Sequence, residues 1–260
     1  MNLAERIDAQ RDQHLAELCE FLRIPSVSAK SEHKSDVERA ARWVADNLAK
    51  AGFKSVEIIP TGLHPLVYAE SLEVPGKPTI LFYGHYDVQP AEPLDLWTTP
   101  AFEPTVRDGN LFARGTADDK GQVHIHLKAL ESLRAMNGGL GINVKVLIEG
   151  EEEVGSVSLW DYVQKNREKL KADALVVSDT SMLAKGVPSI TYGLRGLNYY
   201  QIELTGPVRD LHSGVYGGAV PNPLTILSEL FAKFTTRIFA SPFPAFTMAW
   251  LICPPLSAKL

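Results

Sequence analysis

Residues 79–87 read Thr-Ile-Leu-Phe-Tyr-Gly-His-Tyr-Asp, an apolar run that ends in a histidine and an aspartate. A run that is apolar at every position is typical of a central strand whose two faces are both covered. We therefore predict a buried strand over residues 79–83. His85 and Asp87 would then follow directly at the carboxyl end of this strand.

The segments on either side of this strand alternate between strand and helix patterns. Further strands are predicted at residues 55–59, 66–70, 143–148 and 174–177. Helices are predicted at residues 3–22, from near Ser35 to before Gly52, and at residues 121–136 and 158–170. This alternation predicts an α/β fold with a mostly parallel sheet and helices on both faces. In such sheets ligands bind at the carboxyl ends of the strands.

Acidic residues follow the predicted strands at that edge. The sites concerned are His85 and Asp87, Asp118 and Asp119 before a helix, the acidic run 149–153, and Asp179. Carboxylates crowded in one cleft raise each other's pKa values, and a divalent cation removes that conflict. One imidazole with several carboxylates suits zinc or manganese, and the adjacent Glu152 and Glu153 allow one acid to bind metal while the other takes a proton.

Each of these features has a simpler interpretation when it is taken alone. His85 could be a loop or core histidine, and the run 149–153 could be a solvated face. The Asp118–Asp119 pair could cap a helix, and Asp179 could belong to a turn. Their joint placement at one edge of the sheet favours a metal-dependent hydrolase over these simpler interpretations.

Four motifs carry a family resemblance. They are Gly-His-Tyr-Asp-Val-Gln-Pro (84–90), Arg-Gly-Thr-Ala-Asp-Asp-Lys-Gly (114–121), Glu-Gly-Glu-Glu-Glu-Val-Gly-Ser (149–156) and Asp-Leu-His-Ser-Gly-Val-Tyr-Gly-Gly (210–218). In this order they resemble the di-zinc metallopeptidase superfamily of aminoacylases, carboxypeptidase G, succinyl-diaminopimelate desuccinylase and carnosinase. The last motif, with residues 190–196, most resembles the cytosolic nonspecific dipeptidase branch.

The resemblance implies a role for each residue of the site. It implies that His85 and Asp179 bind one zinc ion (Zn2+), that Glu153 binds a second, and that Asp118 bridges both through a turn that often contains a cis peptide. Manganese (Mn2+) would suit the same donors. Asp87 would fix the tautomer of His85, and Glu152 would be the general base. His212 would stabilise the oxyanion in the neighbouring subunit of a homodimer.

The resemblance also sets the expected organisation of the chain. We expect residues 1–188 to be the N-terminal part of the catalytic domain and residues 189–234 to begin an α+β lid, or dimerisation, domain, with strands at 189–192 and 197–204. The family has a further histidine ligand after the lid, and no histidine follows His212. We therefore expect a truncated chain that is inactive alone.

The last segment, residues 235–260, reads as an aberrant apolar tail. It holds two charged residues, four prolines and no glycine. Shifting the reading frame by one nucleotide and choosing synonymous codons produces Ile-Pro-Gly-Phe-Tyr-Asp, which resembles dipeptidase sequences. We therefore hypothesise a frameshift in this segment. The alternative is a genuine terminus that packs on a partner.

Composition sets the remaining expectations. A net charge of −5 without a basic cluster argues against nucleic-acid binding. Two cysteines, no signal peptide and no apolar run of membrane-spanning length predict a cytoplasmic protein with no membrane association. The leading interpretation is zinc-dependent hydrolysis of dipeptides or small peptide-like substrates. The alternatives are a deacylase of N-acyl amino acids from the same superfamily and a non-catalytic interaction protein.

Overall fold

The computed structural model describes residues 2–197 and 199–234. The described residues divide into two units, with the boundary between Ser189 and Ile190. The segment 235–260, for which the sequence predicts an aberrant tail, lies outside the described residues.

The first unit is built around a five-stranded sheet with the order β1-β2-β6-β3-β7. Its strands are β1 (Ser55–Ile59), β2 (Leu66–Ser71), β3 (Thr79–His85), β6 (Asn143–Glu149) and β7 (Ala174–Val177). Strand β3 pairs in parallel with β6 and with β7, whereas β2 pairs antiparallel with both β1 and β6. The three strands on the β7 side therefore run in one direction and end at one edge.

Helices cover both faces of this sheet, which confirms the predicted α/β fold. The helices of this unit are α1 (Leu3–Ala9), α2 (Arg11–Leu22), α3 (Lys34–Lys50), α4 (Lys120–Asn137), α5 (Val157–Lys165) and α6 (Arg167–Leu170). Helices α3 and α4 pack on one face against Val67, Val144 and Val146. On the other face Tyr68 and Leu147 pack with side chains of α5 and α6.

Two of the predicted helices are each divided into two. The predicted helix 3–22 breaks at Gln10, where φ and ψ of −107° and 11° leave the α region. Residues 8–14 contain only Ala9 as an apolar residue, so little packing holds this part of the helix straight. The predicted helix 158–170 is interrupted at Asn166 in the same way.

A small hairpin that the sequence pattern did not predict lies between β3 and α4. Its strands are β4 (Thr105–Arg107) and β5 (Asn110–Phe112). Asp108 and Gly109 both have positive φ, of 50° and 73°. An Asp-Gly pair is favoured in two-residue hairpin turns of this type because it tolerates two left-handed residues.

The second unit contains helices α7 (Ser213–Tyr216) and α8 (Pro223–Phe234) in its described part. The strands predicted at 189–192 and 197–204 are wrong, because the described residues of both segments form no strand. Tyr192 is fully exposed and Leu197 is 87% exposed. A β-rich sequence forms a strand only where another strand supplies hydrogen bonds, and the described residues supply none here.

Among residues 2–197 and 199–234 there is no helix with both the length and the apolar character needed to cross a bilayer.

Candidate metal centre

The parallel strands bring the predicted site residues to one edge of the sheet. Strand β3 ends at His85, which lies opposite Glu149 at the end of β6. Strand β7 ends at Val177, two residues before Asp179. The strand directions explain why residues almost a hundred positions apart in sequence lie together.

His85 is the buried residue around which the acids gather. Its side chain is completely buried, and its Nε2 atom lies 3.1 Å from Oδ1 of Asp118 and 3.7 Å from Oδ2 of Asp179. Oε2 of Glu152 lies 4.0 Å from the same nitrogen. One donor atom from each of His85, Asp118 and Asp179 lies within 4.8 Å of the other two, a spacing that allows them to share one ion.

Asp87 links His85 to the acidic turn that follows β6. Nδ1 of His85 lies 3.1 Å from the backbone oxygen of Asp87 and 3.3 Å from its Oδ1. The same carboxylate accepts hydrogen bonds from the backbone N–H groups of Glu152, at 3.3 Å, and Glu153, at 3.1 Å. A fixed partner on one ring nitrogen sets the tautomer and orientation of the imidazole.

Glu152 and Glu153 begin the 3₁₀ turn Glu152–Val154. The Glu152 side chain faces His85, whereas the Glu153 carboxylate contacts the loop after β3. Oε2 of Glu153 accepts a hydrogen bond of 2.6 Å from Nε2 of Gln89. The structure therefore gathers His85, Asp118, Asp179 and Glu152, and holds Glu153 beside them through Gln89.

The acids of this cluster shift one another's pKa values and that of His85. Burial lowers the pKa of His85, but Asp87, Asp119 and Glu152 outweigh it and raise the pKa to about 10. Burial raises the pKa of Glu152, which the positive charge of His85 opposes and Asp179 raises further. Burial also raises the pKa of Glu153, which the hydrogen bond from Gln89 opposes. The raised pKa of His85 shows that these acids stabilise a positive charge on its ring.

The donor set fits a divalent metal ion. One imidazole nitrogen and several carboxylate oxygens converge, and the described cluster contains no thiolate. Zinc accepts this combination at about 2.0–2.2 Å per bond, and manganese accepts it as well. A metal ion would replace the proton on Nε2 of His85 and remove the mutual repulsion of the acids.

The turn that carries Asp118 is fixed by the two residues that follow it, Asp119 and Lys120. The Asp118–Asp119 peptide bond is cis, as the family resemblance implies. Asp119 does not cap helix α4 with its side chain; its Oδ2 instead accepts the backbone N–H of His85 at 3.0 Å. Burial raises the pKa of Asp119 to about 7. The fully buried Lys120 donates to the carbonyls of Phe21 and Ile24 at the end of α2.

The acidic run 149–153 is not a solvated face. Glu149 is fully buried, and its Oε1 accepts hydrogen bonds from the hydroxyls of Tyr83, at 2.6 Å, and Ser156, at 2.8 Å. Glu151 is buried as well. The sequence pattern gave no role to these two acids, although their position inside a motif of functional residues was a signal that they support it.

His212 lies in the second unit, where it precedes α7. Its Nδ1 accepts the backbone N–H of Gly214 at 3.0 Å, so the ring caps this short helix. This is the turn-capping arrangement that is the simplest interpretation of a histidine before Ser-Gly.

The chain is similar to known metallopeptidases in family, sequence and structure. The family model of peptidase family M20/M25/M40 matches residues 81–250. The Cys-Gly metallodipeptidase dug1 of Schizosaccharomyces pombe is 38% identical over 243 residues, which cover 88% of this chain and 51% of that protein. The Beta-Ala-His dipeptidase of Homo sapiens is 34% identical over 241 residues, covering 87% and 48%.

A solved structure agrees with these relatives. The structure of the dipeptidase Dug1p from Saccharomyces cerevisiae matches with a TM-score of 0.75 and 31% identity, covering 90% of this chain and 52% of that chain. The chain thus spans about half the length of the curated relatives it matches.

Proposed function

The chain belongs to peptidase family M20/M25/M40, and from that premise we propose that the whole protein is a zinc-dependent dipeptidase. The observation that carries the proposal is the convergence of His85, Asp118 and Asp179, with Glu152 beside them, at one edge of the sheet. The relatives named for dipeptide hydrolysis support dipeptides or small peptide-like molecules as the substrate class.

In this proposal the metal-binding residues are those that surround the His85 ring. His85 and Asp179 would hold one zinc ion, Glu153 a second, and Asp118 both. A zinc ion supplies positive charge that polarises a peptide carbonyl and makes water easier to deprotonate. Zinc is chosen over manganese because zinc favours a histidine nitrogen among its ligands.

Glu152 is the proposed general base. Its side chain is 37% exposed, so it is accessible from solvent while it lies near His85. Its raised pKa, caused first by burial, makes the carboxylate a better proton acceptor than an ordinary glutamate. Glu152 takes a proton from the attacking water and later gives it to the leaving amine. Asp87 accepts the backbone N–H of Glu152 and so supports the turn from which this side chain extends.

The remaining roles follow from the family. His212 is proposed to stabilise the oxyanion in a homodimer of the whole protein. Residues 1–188 are proposed as part of the catalytic domain, and residues 189–234 as the beginning of the lid. We place the protein in the cytoplasm, because its two cysteines are too few for the disulfides of a small secreted domain.

The proposal is tested by a zinc titration and a peptidase assay on the whole protein and its Glu152→Ala variant. The substrates are cysteinylglycine, β-alanyl-histidine and an N-acyl amino acid. We expect zinc-dependent turnover of a dipeptide by the wild type. The variant should retain its zinc and lose about 100-fold or more in kcat. Glu20→Ala, which changes an exposed acid on α2, is the control and should behave as the wild type.

Other results would overturn parts of this proposal. Equal loss of zinc and turnover in Glu152→Ala would make Glu152 a ligand. Turnover restricted to the N-acyl amino acid would indicate the deacylase. A wild type that binds no metal and cleaves none of these substrates would indicate an interaction protein.

A further inference from the structure

Glu151 is the middle acid of the run 149–153, and its side chain points away from the candidate metal centre. It is 1% exposed, whereas the Glu152 side chain beside it is 37% exposed. Burying an ionisable side chain is costly unless hydrogen bonds compensate it. The partners of Glu151 therefore show what this burial accomplishes.

The two carboxylate oxygens of Glu151 bind two different parts of the unit. Oε1 accepts the backbone N–H of His64 at 2.9 Å and lies 3.0 Å from the hydroxyl of Thr61, in the connection between β1 and β2. Oε2 accepts the backbone N–H of Ser158 at 3.0 Å, in the first turn of α5. One side chain thus joins the 61–64 connection to the start of α5. We call this set of hydrogen bonds the clamp.

Both partners are themselves held in place. The ring of His64 is buried, with Nε2 3.0 Å from the backbone oxygen of Ser28. Helix α5 packs its Leu159 and Val163 against the sheet. The anchors on either side of Glu151 are therefore fixed to the body of the unit, so the carboxylate between them is fixed too.

The backbone of Glu151 continues this clamp into the turn that follows. Its carbonyl accepts the N–H groups of Val154, at 3.1 Å, and Ser156, at 2.8 Å. Those bonds close the turn that contains Glu152 and Glu153. On its other side the turn is held by Asp87, whose carboxylate accepts the N–H groups of the same two residues.

We propose that Glu151 is a positioning residue that fixes the turn 152–154 and thereby holds the Glu152 side chain beside His85. The inference rests on the proposed function for the role of Glu152, but not for the placement of the turn. A carboxylate is needed because every partner is a donor and both oxygens must accept. A glutamine has the same shape but turns one oxygen into an NH₂ group, which would face an N–H group on one of the two sides.

The placement is tested by amide hydrogen exchange, followed residue by residue by NMR, on the metal-free chain. In Glu151→Gln we expect exchange at the amides of Glu152 and Glu153 to accelerate about tenfold, because the turn loses half of its clamp. Thr61→Val removes a single hydroxyl from the clamp and should accelerate the same amides by a smaller factor. Glu70→Gln is the matched control, since the Glu70 carboxylate accepts the Tyr68 hydroxyl on β2, away from the turn, and should leave residues 152–153 unchanged.

Two results of this experiment would overturn the inference. One is wild-type exchange at residues 152–153 in both Glu151→Gln and Thr61→Val. The other is equal acceleration across β3 and β6, which would make Glu151 a general stability residue. Thr61→Val decides the question if Glu151→Gln does not fold.

Kinetics of the zinc-loaded whole protein supply the second readout. Glu151→Gln should lower kcat about tenfold or more and leave KM within about twofold, because a displaced base weakens proton transfer and not substrate binding. A matched rise in KM with unchanged kcat would contradict positioning. Failure of the wild type to hydrolyse any dipeptide would refute the proposed function, yet the exchange result on the turn would still stand.

Discussion

Some residues around the candidate centre are proposed to bind the metal ion, and others orient the side chains of those ligands. Gln89 has no charge to contribute, yet its Nε2 contacts Oε2 of Glu153 at 2.6 Å. A neutral donor on one carboxylate oxygen holds the group in one rotamer and leaves the other oxygen available. Groups that orient a metal ligand in this way are often as important for metal affinity as the ligand's own geometry.

If Glu153 has the ligand role proposed above, Gln89→Leu should weaken zinc binding about 10- to 100-fold, the usual effect of losing an orienting partner. Zinc affinity is measured by competition with a chromophoric chelator. Gln13→Leu is the control, because Gln13 is exposed on α2 and donates its side-chain hydrogen bond to Glu17, outside the candidate centre. Identical affinities for the wild type and Gln89→Leu would show that Glu153 needs no such support, or that it does not bind the metal.

The sequence predicted which acidic side chains lie close to His85 better than it predicted the contacts that hold them. His85, Asp118, Asp179 and Glu152 were expected together, because each follows a strand or opens a helix at one edge. Glu151 was not, since nothing in a run of acids says which side chain turns inward. That choice is made by donors 87 and 90 residues earlier in the chain, at His64 and Thr61.

At the scale of elements, the turn that carries Asp118 depends on a close backbone approach at the start of α4. A Cβ atom on Gly121 would lie 2.0 Å from the backbone oxygen of Thr116. Gly121 also donates its N–H to the carbonyl of Gly115 at 3.2 Å. The turn and the helix therefore meet where only a glycine fits.

Gly121→Ala should lower the free energy of unfolding by about 1–3 kcal/mol, because the added methyl group forces the turn outward. Zinc affinity should fall as well, since Asp118, the proposed ligand of both ions, moves with the turn. Gly139→Ala is the matched control, because a Cβ there meets no atom within 4 Å and φ is not positive. Urea unfolding and zinc titration test both variants. A stable Gly121→Ala with unchanged zinc affinity would contradict this account of the turn.

The interface between α2 and α4 contains a buried histidine, His124, whose Nε2 finds no hydrogen-bond partner within the part of the chain that the structure describes. His124 is 4% exposed, and its Nε2 lies 4.0 Å from Oε2 of Glu17. Burial lowers the pKa of His124 to about 4, the charge of Lys128 lowers it further, and Glu17 opposes the shift. The rings of His14 and Trp43 complete its surroundings.

This burial should make stability depend on pH. The ordinary pKa of a histidine is 6.5, so below about pH 6.5 His124 takes up a proton in the unfolded chain but not in the folded chain. The free energy of unfolding therefore falls as the pH drops from 6.5 towards 4. From pH 7 to pH 5 the contribution is about 2 kcal/mol. Urea unfolding at both pH values should show a smaller loss in His124→Leu than in the wild type. Burial also lowers the pKa of His126, so part of the pH dependence of stability remains in the variant. Equal losses in both proteins would contradict the assignment.

Element positions in the first unit followed closely from the sequence. All five strands of its sheet were expected, because their patterns are strongly apolar or β-rich. The antiparallel placement of β1 beside β2 was not, since periodicity carries no information about strand direction. The breaks at Gln10 and Asn166 were also missed. Residues 8–14 contain only Ala9 as an apolar residue, so the apolar pattern there carries no information about where a helix ends.

At the scale of the whole chain, the two units differ in how far the side chains of their described residues are buried. The first unit buries large aromatic residues completely, as Tyr68 and Tyr86 show. In the second unit, Tyr192 is fully exposed and Tyr199 is 88% exposed. The predicted strands there failed because a β-rich pattern identifies a segment able to pair, and pairing requires another strand.

Limited chymotrypsin digestion should report this difference. Proteases cut first where the backbone is exposed and free of regular hydrogen bonding. Within residues 2–197 and 199–234, we therefore expect the earliest cuts after Tyr192, Tyr199 or Tyr200, giving an N-terminal fragment that retains the whole sheet. Mass spectrometry of the fragments identifies the sites, and digestion in urea is the control in which Tyr68 and Tyr86 become equally susceptible. An earliest cut at either buried tyrosine under native conditions would contradict a first unit that is folded around its sheet.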